Sequence, residues 1–328
     1  MGFRKRINEL MIAFLQGIVG AALFSGAALA DPLLFTSAPA PGNGPAVDGF
    51  NGKAEAFGGS LANRSLGGAQ GAVTMPLGQS IGAQLDGAFG SFDGSRFGNI
   101  AGHFFWRNPG QALFGVYASH TAWDRYGGAR VSQVAGEGEY YFGRFTIQGI
   151  AGVEFGNQAS LTTSSTSIVA PAAHLFFVPG APGVITATTS TSAFDVRTRF
   201  FDQINLKYYL TDDWMGYVGH RYLGGKNAMA LGSEYAFPLG HQIKASAFFE
   251  ARVGEGDTRG IWGGLKFYFG QKDKPLIARH RQDDPNIWST DTLFSIVNSQ
   301  TGSSSSTSSV FCNPPDTLIG GKCVSEEE

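Results

Sequence analysis

The feature that most limits what this chain can fold into is a strict two-residue alternation that keeps returning between Phe50 and Phe269. In "IGAQLDGAFG", residues 81–90, Ile81, Ala83, Leu85, Gly87 and Phe89 take the odd places, with Gln84 and Asp86 between them. "IKASAFFEARV" sets Ile243, Ala245, Ala247, Phe249, Ala251 and Val253 against Lys244, Ser246, Phe248, Glu250 and Arg252. "FTIQGIAGVEF" and "IWGGLKFYF" do the same at 145–155 and 261–269. A period of two held over about ten residues is a β-strand with one apolar and one polar face. Composition argues against helices: the 328 residues include 47 glycines, and each helical glycine costs roughly 1 kcal/mol relative to alanine. A mean hydropathy of -0.04 excludes a bundle of membrane-crossing helices, each of which needs about 20 mostly apolar residues. Net charge is -2, which gives no reason to expect nucleic acid as a partner.

Twelve strands are predicted, at about 50–58, 68–76, 81–90, 98–107, 112–123, 131–142, 145–155, 195–210, 214–222, 227–237, 243–253 and 261–269. Every second connector is tight: "LGQS", "NPGQ", "FGR", "TDD" and "PLGH". The others read as longer, among them "GSLANRSLG", "SFDGSRF", "DRYGGAR" and the 156–194 segment, with only "GGKN" short. Alternating connector length, with strands that climb about 25 Å when tilted near 40°, fits a transmembrane antiparallel up-and-down β-barrel with short turns on the periplasmic side and longer loops outside. An even strand count brings both ends of the barrel to one side.

The ends of the chain add context. Arg4, Lys5 and Arg6 precede an apolar stretch and the A-x-A site Ala28-Leu29-Ala30, so residues 1–30 read as a cleaved export signal. Residues 31–49, rich in Pro and Gly, read as a linker, 50–270 as the barrel, and 271–328 as a periplasmic tail, with a lumen plug as the alternative. In that tail "QKDKPLIARHRQDDPNIW" is charged, and "SSSSTSS" is a low-complexity run expected to stay unstructured. Cys312 and Cys323, exported to an oxidising compartment, are expected to close a small disulfide loop worth about 2–3 kcal/mol.

The signal, the Gly- and aromatic-rich hairpins and the closing strand "LKFYF" resemble Gram-negative outer-membrane β-barrels of the small porin-like kind. The resemblance is architectural, covers roughly residues 50–270, and carries no subfamily motif. It implies an outer-membrane location, contact with membrane lipid and lipopolysaccharide, and dependence on barrel-assembly machinery. This chain departs from the family in running on for almost sixty residues beyond Phe269, and a periplasmic or peptidoglycan contact is the expectation for that tail.

Which row meets lipid follows from where the rings gather. Trp106, Phe142, Phe145, Tyr208, Trp214, Tyr235, Phe237, Phe267 and Phe269 lie beside the tight turns, as an aromatic girdle at a membrane–water interface would. Two residues object: Asp202 falls on the predicted lipid row, and His220 poses the same problem near the outer rim, so a bulge or a position above the membrane is expected there. The inward rows are charged. Asp86, Glu137, Glu139 and Glu154 form an acidic wall on the earlier strands; Arg197, Arg199, Lys207, Arg221, Lys244, Arg252 and Lys266 form a basic wall on the later ones. Glu234 and Glu250 sit in the basic half and could neutralise it locally.

Twelve strands close at a backbone diameter of ~24 Å, leaving a free width on the order of 10 Å. Opposed charged walls across that lumen orient dipolar solutes, so the expected function is passive diffusion of small hydrophilic solutes. The alternative is a closed structural or adhesive barrel with a salt-bridged lumen. A lipid-modifying enzyme is the remaining class. Pairing across "NPGQ" sets His103 opposite Val116 and His120 opposite Asn99, about 14 Å apart, with no Ser–His pair evident near them. No catalytic residue, cofactor or metal site is expected. The segment at 156–194 reads as a surface hairpin whose "FFVPG" should pack against something.

Overall fold

A computed structural model of the chain describes residues 44–125, 127–169, 184–239, 243–256, 259–270, 274–311, 317–319 and 322–324. Alternation becomes geometry directly. Strands β1 (Asn51–Leu61), β2 (Arg64–Pro76), β3 (Ile81–Phe92), β4 (Ser95–Asn108), β5 (Ala112–Trp123), β6 (Ala129–Phe142) and β7 (Phe145–Gly156) follow one another as antiparallel hairpins. The hairpin β8 (Gln158–Val169) and β9 (Val184–Asp195) then leaves the wall, and β10 (Arg199–Thr211) returns to pair with β7. β11 (Trp214–Leu223), β12 (Lys226–Pro238), β13 (Lys244–Gly254) and β14 (Arg259–Phe269) complete the ring, and β14 pairs with β1 from Gly52↔Phe269 to Leu61↔Gly260. The result is a closed, twelve-stranded antiparallel barrel, with the twelve strands where the alternation puts them. Closure leaves no unpaired edge in the wall.

The two rows separate as the pattern requires. Leu85, Phe89, Ile100, Phe104, Val116, Val134, Leu231 and Val253 are exposed on the outside, whereas Gln84, Asp86, His103, Glu137, Gln148 and Asn205 are buried inside. Such an exterior, predominantly apolar and rimmed at one end by rings, is the surface of a barrel made for lipid rather than water.

Several connectors are shorter than their composition suggests. β1 runs into β2 through Ala62 and Asn63 alone, both at positive φ (52° and 59°); Asp93–Gly94 and Gly224–Gly225 do the same for β3–β4 and β11–β12. Two consecutive residues at positive φ form the turn whose twist matches a hairpin, so "GSLANRSLG" and "SFDGSRF" are strand almost to the tip. At "NPGQ" the Asn108 side chain accepts from Gly110 N at 3.0 Å, and Gln111 N donates to Asn108 O at 2.9 Å. This three-residue turn shifts the pairing by one, giving His103↔Tyr117 and Ile100↔His120 in place of the expected partners.

The tail does not hang at the short-turn end. Residues 274–299 run up the inside of the barrel as two short helices, α1 (Leu276–Gln282) and α2 (Asp291–Asn298), and β15 (Gln300–Phe311) emerges at the far end to pair with β9. The free-standing sheet there has the order β15-β9-β8. The serine run is therefore strand, not unstructured tail, and the 156–194 segment is a hairpin over its described part. β16 (Thr317–Ile319) and β17 (Lys322–Val324) form a separate two-stranded sheet. The linker reading also needs correcting from residue 44 onward: Ala46 and Val47 are fully buried, Val47 against Phe105 and Leu113. The export signal, Cys312 and "FFVPG" lie outside the described residues.

Candidate functional site: the filled lumen

The polar lumen is where strand pairing and the tail segment meet. α1 sits at the short-turn end. Asp213, in the β10–β11 turn, accepts from Leu276 N at 2.8 Å and from Lys244 Nζ at 2.5 Å. Arg281 donates to the Phe145 and Gly143 carbonyls at 2.8 and 2.9 Å, and Arg279 to Phe269 O at 3.0 Å. Arg107 of β4 reaches back to Gln282 O. Leu276 and Ile277 pack with Tyr209, Met215, Ala236 and Tyr268, closing this mouth with apolar contacts. His280 is held from both sides, by the Tyr209 hydroxyl at 3.0 Å and the Tyr268 hydroxyl at 3.1 Å.

In the middle of the lumen the chain is extended. Lys53 of β1 donates to Pro285 O, and Trp288 lies buried with its indole N–H 3.4 Å from Glu137 Oε2. Glu137 and Asp86 grip one imidazole between them: His103 Nδ1 is 2.8 Å from Glu137 Oε1, and Nε2 is 2.9 Å from Asp86 Oδ2. All three side chains are buried. A cation between two carboxylates in a dry site offsets charges that would each be costly alone.

α2 fills the far end. Arg252 of β13 bridges Glu250, at 2.5 Å, and Asp291 in the helix's first turn. Ser295 Oγ donates to Glu154 Oε2 at 2.6 Å, and the Thr292 and Thr121 hydroxyls are 2.6 Å apart. Asn298 Nδ2 reaches Leu223 O at 2.9 Å beside Gly224, where an added Cβ would collide with Asn298 and Ser295; a glycine is needed there both for its φ of 61° and for the helix's approach. The apolar face of α2 (Leu293, Phe294, Ile296 and Val297) is buried with Trp123, Phe201 and Trp262 of the wall and Phe194 at the base of β9. Full burial contributes about 1.5–3 kcal/mol per side chain of this size. Between these two closures a polar cavity of about 100 Å³ remains, lined by Glu139, Lys207, Arg221, Glu234, Lys266 and His280 among others.

The sequence-predicted charges are mostly inside, but they do not face one another across open water. Lys266 pairs with Glu234 at 3.0 Å and Glu55 at 3.5 Å. Arg252 pairs with Glu250, whose other carboxylate oxygen takes the Tyr217 hydroxyl at 2.5 Å. Arg221 donates to Asn205 Oδ1 at 2.7 Å. On the acidic side Glu139 accepts from Tyr141 at 2.7 Å and Gln148 at 2.5 Å. Arg199 and Glu154, register partners on β10 and β7, are 3.3 Å apart. Lys207 is buried and faces the cavity. The lumen charges thus meet as local pairs, some within the basic strands, which carry their own carboxylates, and one between β10 and β7. Arg197 is not in the lumen at all: it lies exposed between β9 and β10 and donates to Asp195 at 2.5 Å, a bond that holds the Asp195 carboxyl below the usual carboxylate range. Lys244 belongs to the short-turn rim with Asp213. From the sequence His103 enters only as a catalytic candidate that is set aside, and Trp288 not at all; His103 falls on the inward row beside the acidic residues, which is the signal for its place between Asp86 and Glu137.

The nine rings beside the tight turns sit at one level of the exterior. Trp106, Phe142, Trp214, Tyr235 and Phe269 are exposed, Phe145, Tyr208, Phe237 and Phe267 half-buried. Phe145 lies between Phe142, on which it stacks with centroids 5.4 Å apart, and Tyr208, tilted against it at 4.7 Å. One Ser–His contact does exist, between His120 Nδ1 and Ser132 Oγ at 2.8 Å on the outer face. It joins register partners on β5 and β6, a relation no sequence spacing displays. No carboxylate is seen on His120 among the described residues, and no group of three potential metal ligands occurs among them.

No family model matches the chain, and no curated protein matches it. Solved structures that it resembles are distant. An outer membrane channel from Pseudomonas putida F1 is 8% identical, over 74% of this chain and 99% of that one, with a TM-score of 0.40. The CymD monoaromatic hydrocarbon channel is 8% identical over 69% and 89%, with a TM-score of 0.38. The beta domain of the Bordetella autotransporter BrkA is 14% identical over 68% and 99%, with a TM-score of 0.35. At that distance none of them lends this chain its activity.

Proposed function

We propose that this protein is a bacterial outer-membrane barrel, exported by its N-terminal signal, that is closed by its own C-terminal segment and holds the end of that segment at the outer face. The observation that carries this reading is the burial of Leu293, Phe294, Ile296 and Val297 among Trp123, Phe194, Phe201 and Trp262 at the far mouth. A solute path needs continuous water, and this cluster excludes it. The lipid row contacts acyl chains and lipopolysaccharide, the nine rings form the periplasmic girdle, and the acidic and basic lumen residues serve as anchors for the segment. The tail is thereby a through-going element, not a peptidoglycan contact.

Passive passage of small hydrophilic solutes is the second reading, favoured by the polar cavity beside Lys207, Glu139 and Glu234; it requires residues 274–299 to move aside. Planar-bilayer recording of the purified full chain distinguishes the two. The closed reading expects no steps above background, and steady open steps would overturn it. An epitope placed after Glu328 should be recognised by antibody on intact cells; recognition only after the outer membrane is opened counts against outward presentation.

A further inference from the structure

Among the described residues the far-end sheet leaves two edges open, and neither carries the usual protection. With β9 in the middle, β8 and β15 each present a row of backbone N–H and C=O groups along twelve residues, a length of about 40 Å. Exposed edges in natural sheets are ordinarily blunted by charge, proline, bulges or brevity. "QASLTTSSTSIV" and "QTGSSSSTSSVF" contain no charged residue and no proline, and the one irregularity in β15 lies at its base, between Gln300 and Gly302. Residues 160–165 and 305–307 are exposed.

The chain already shows what such an edge accepts. β9 takes a hydroxyl-rich strand on each side, antiparallel, with Thr189 opposite Ser164 on one flank and Ser306 on the other. The Thr162 and Thr191 hydroxyls meet at 3.0 Å across that pairing. A partner recognised through side chains needs an anchor such as Trp, Tyr or Arg and a pocket for it, and the exposed middle of this sheet has neither. Backbone pairing between like strands is what remains.

We infer that the β8 and β15 edges bind a second copy of this chain by edge-to-edge strand pairing, making the outer face a self-association surface. The inference rests on the reading that this end lies outside the cell. Hydroxyl side chains on both faces specify register weakly, so each contact is modest and gains strength from the many copies in one membrane facing many in another.

Two variants test it: Thr163→Lys with Ser165→Lys on β8, and Ser305→Lys with Thr307→Lys on β15, each in the full chain. Purified wild type in detergent should show masses above the monomer by light scattering, and cells producing it should settle together. Each lysine pair should reduce both effects several-fold, and all four together should abolish them while the barrel's melting temperature stays unchanged. A monomeric wild type with dispersed cells, or lysine variants that associate as well as wild type, overturns the inference. Membrane-impermeant biotinylation of the introduced amines on intact cells separates the two levels. Labelled amines without association sink only the self-pairing; unlabelled amines sink the outward presentation beneath it.

Discussion

The Asp202 carboxylate of β10 and the His220 imidazole of β11 meet on the outward face of the barrel, Oδ1 to Nδ1, at 3.1 Å. These are the two residues that the sequence pattern marks as out of place on the lipid row, and each is the other's partner. Asn227 Oδ1, 3.3 Å from His220 Nε2, occupies the second ring nitrogen. The β10–β11 register runs unbroken from Asp202 to Tyr209, so no bulge turns the carboxylate away. Leaving one member of such a pair unsatisfied costs about 1–3 kcal/mol, whereas removing both is nearly neutral. Asp202→Ala or His220→Leu alone should therefore lower stability in urea by that amount, and the double variant should lose less than the two singles summed. Additive losses would contradict the pairing.

His103 holds two buried carboxylates apart. His103→Leu leaves Asp86 and Glu137 facing each other without a cation, and breaking a buried charge pair costs about 3–5 kcal/mol. Urea unfolding followed by loss of heat-modifiable migration should show a drop of this size. Adding Asp86→Asn and Glu137→Gln to the His103→Leu variant should restore most of it.

Trp288 is the largest side chain of the segment in mid-lumen. Trp288→Ala should cost about 3–5 kcal/mol of stability through the cavity it leaves, and it joins that new space to the polar cavity beside it. Liposome-swelling rates for small sugars should rise above those of the wild type. Unchanged rates would mean that the two end closures suffice alone.

Ala62 adopts a φ of 52° in the β1–β2 turn, a region that costs a residue bearing a Cβ roughly 1–2 kcal/mol. Ala62→Gly should raise stability by about 1 kcal/mol in the same unfolding assay, and Asn63→Val, at a φ of 59°, should lower it.

The wall of this barrel is legible in its sequence because lipid and lumen impose opposite polarity on alternate residues, so Leu85 and Asp86 declare their sides without help. Turn tips were harder: Asn63 and Asp93 look like loop but close two-residue hairpins, since positive φ is a property of the backbone that composition only hints at. The segment inside the lumen was legible only as the lesser alternative to a periplasmic tail. "QKDKPLIARHRQDDPNIW" is charged because its surroundings are charged, and a polar strand filling a polar tube has the composition of a solvated tail. The pairing of the lumen charges was only partly legible. Glu250 and Arg252 stand two apart on one strand and can be read together, whereas Glu234 on β12 and Lys266 on β14 are brought together only by the register.

The measurement closest to the central claim locks the segment to the wall. Thr121 of β5 and Thr292 of α2 have hydroxyl oxygens 2.6 Å apart in the lumen. Thr121→Cys with Thr292→Cys, in a chain carrying Cys312→Ser and Cys323→Ser, should form a disulfide in nearly every molecule under mild oxidation in the membrane. After a protease site placed in 271–273 is cut, the tail should remain attached to the barrel until reductant is added. A tail released by the cut without reductant, and reduced and oxidised samples that behave alike, would contradict the account.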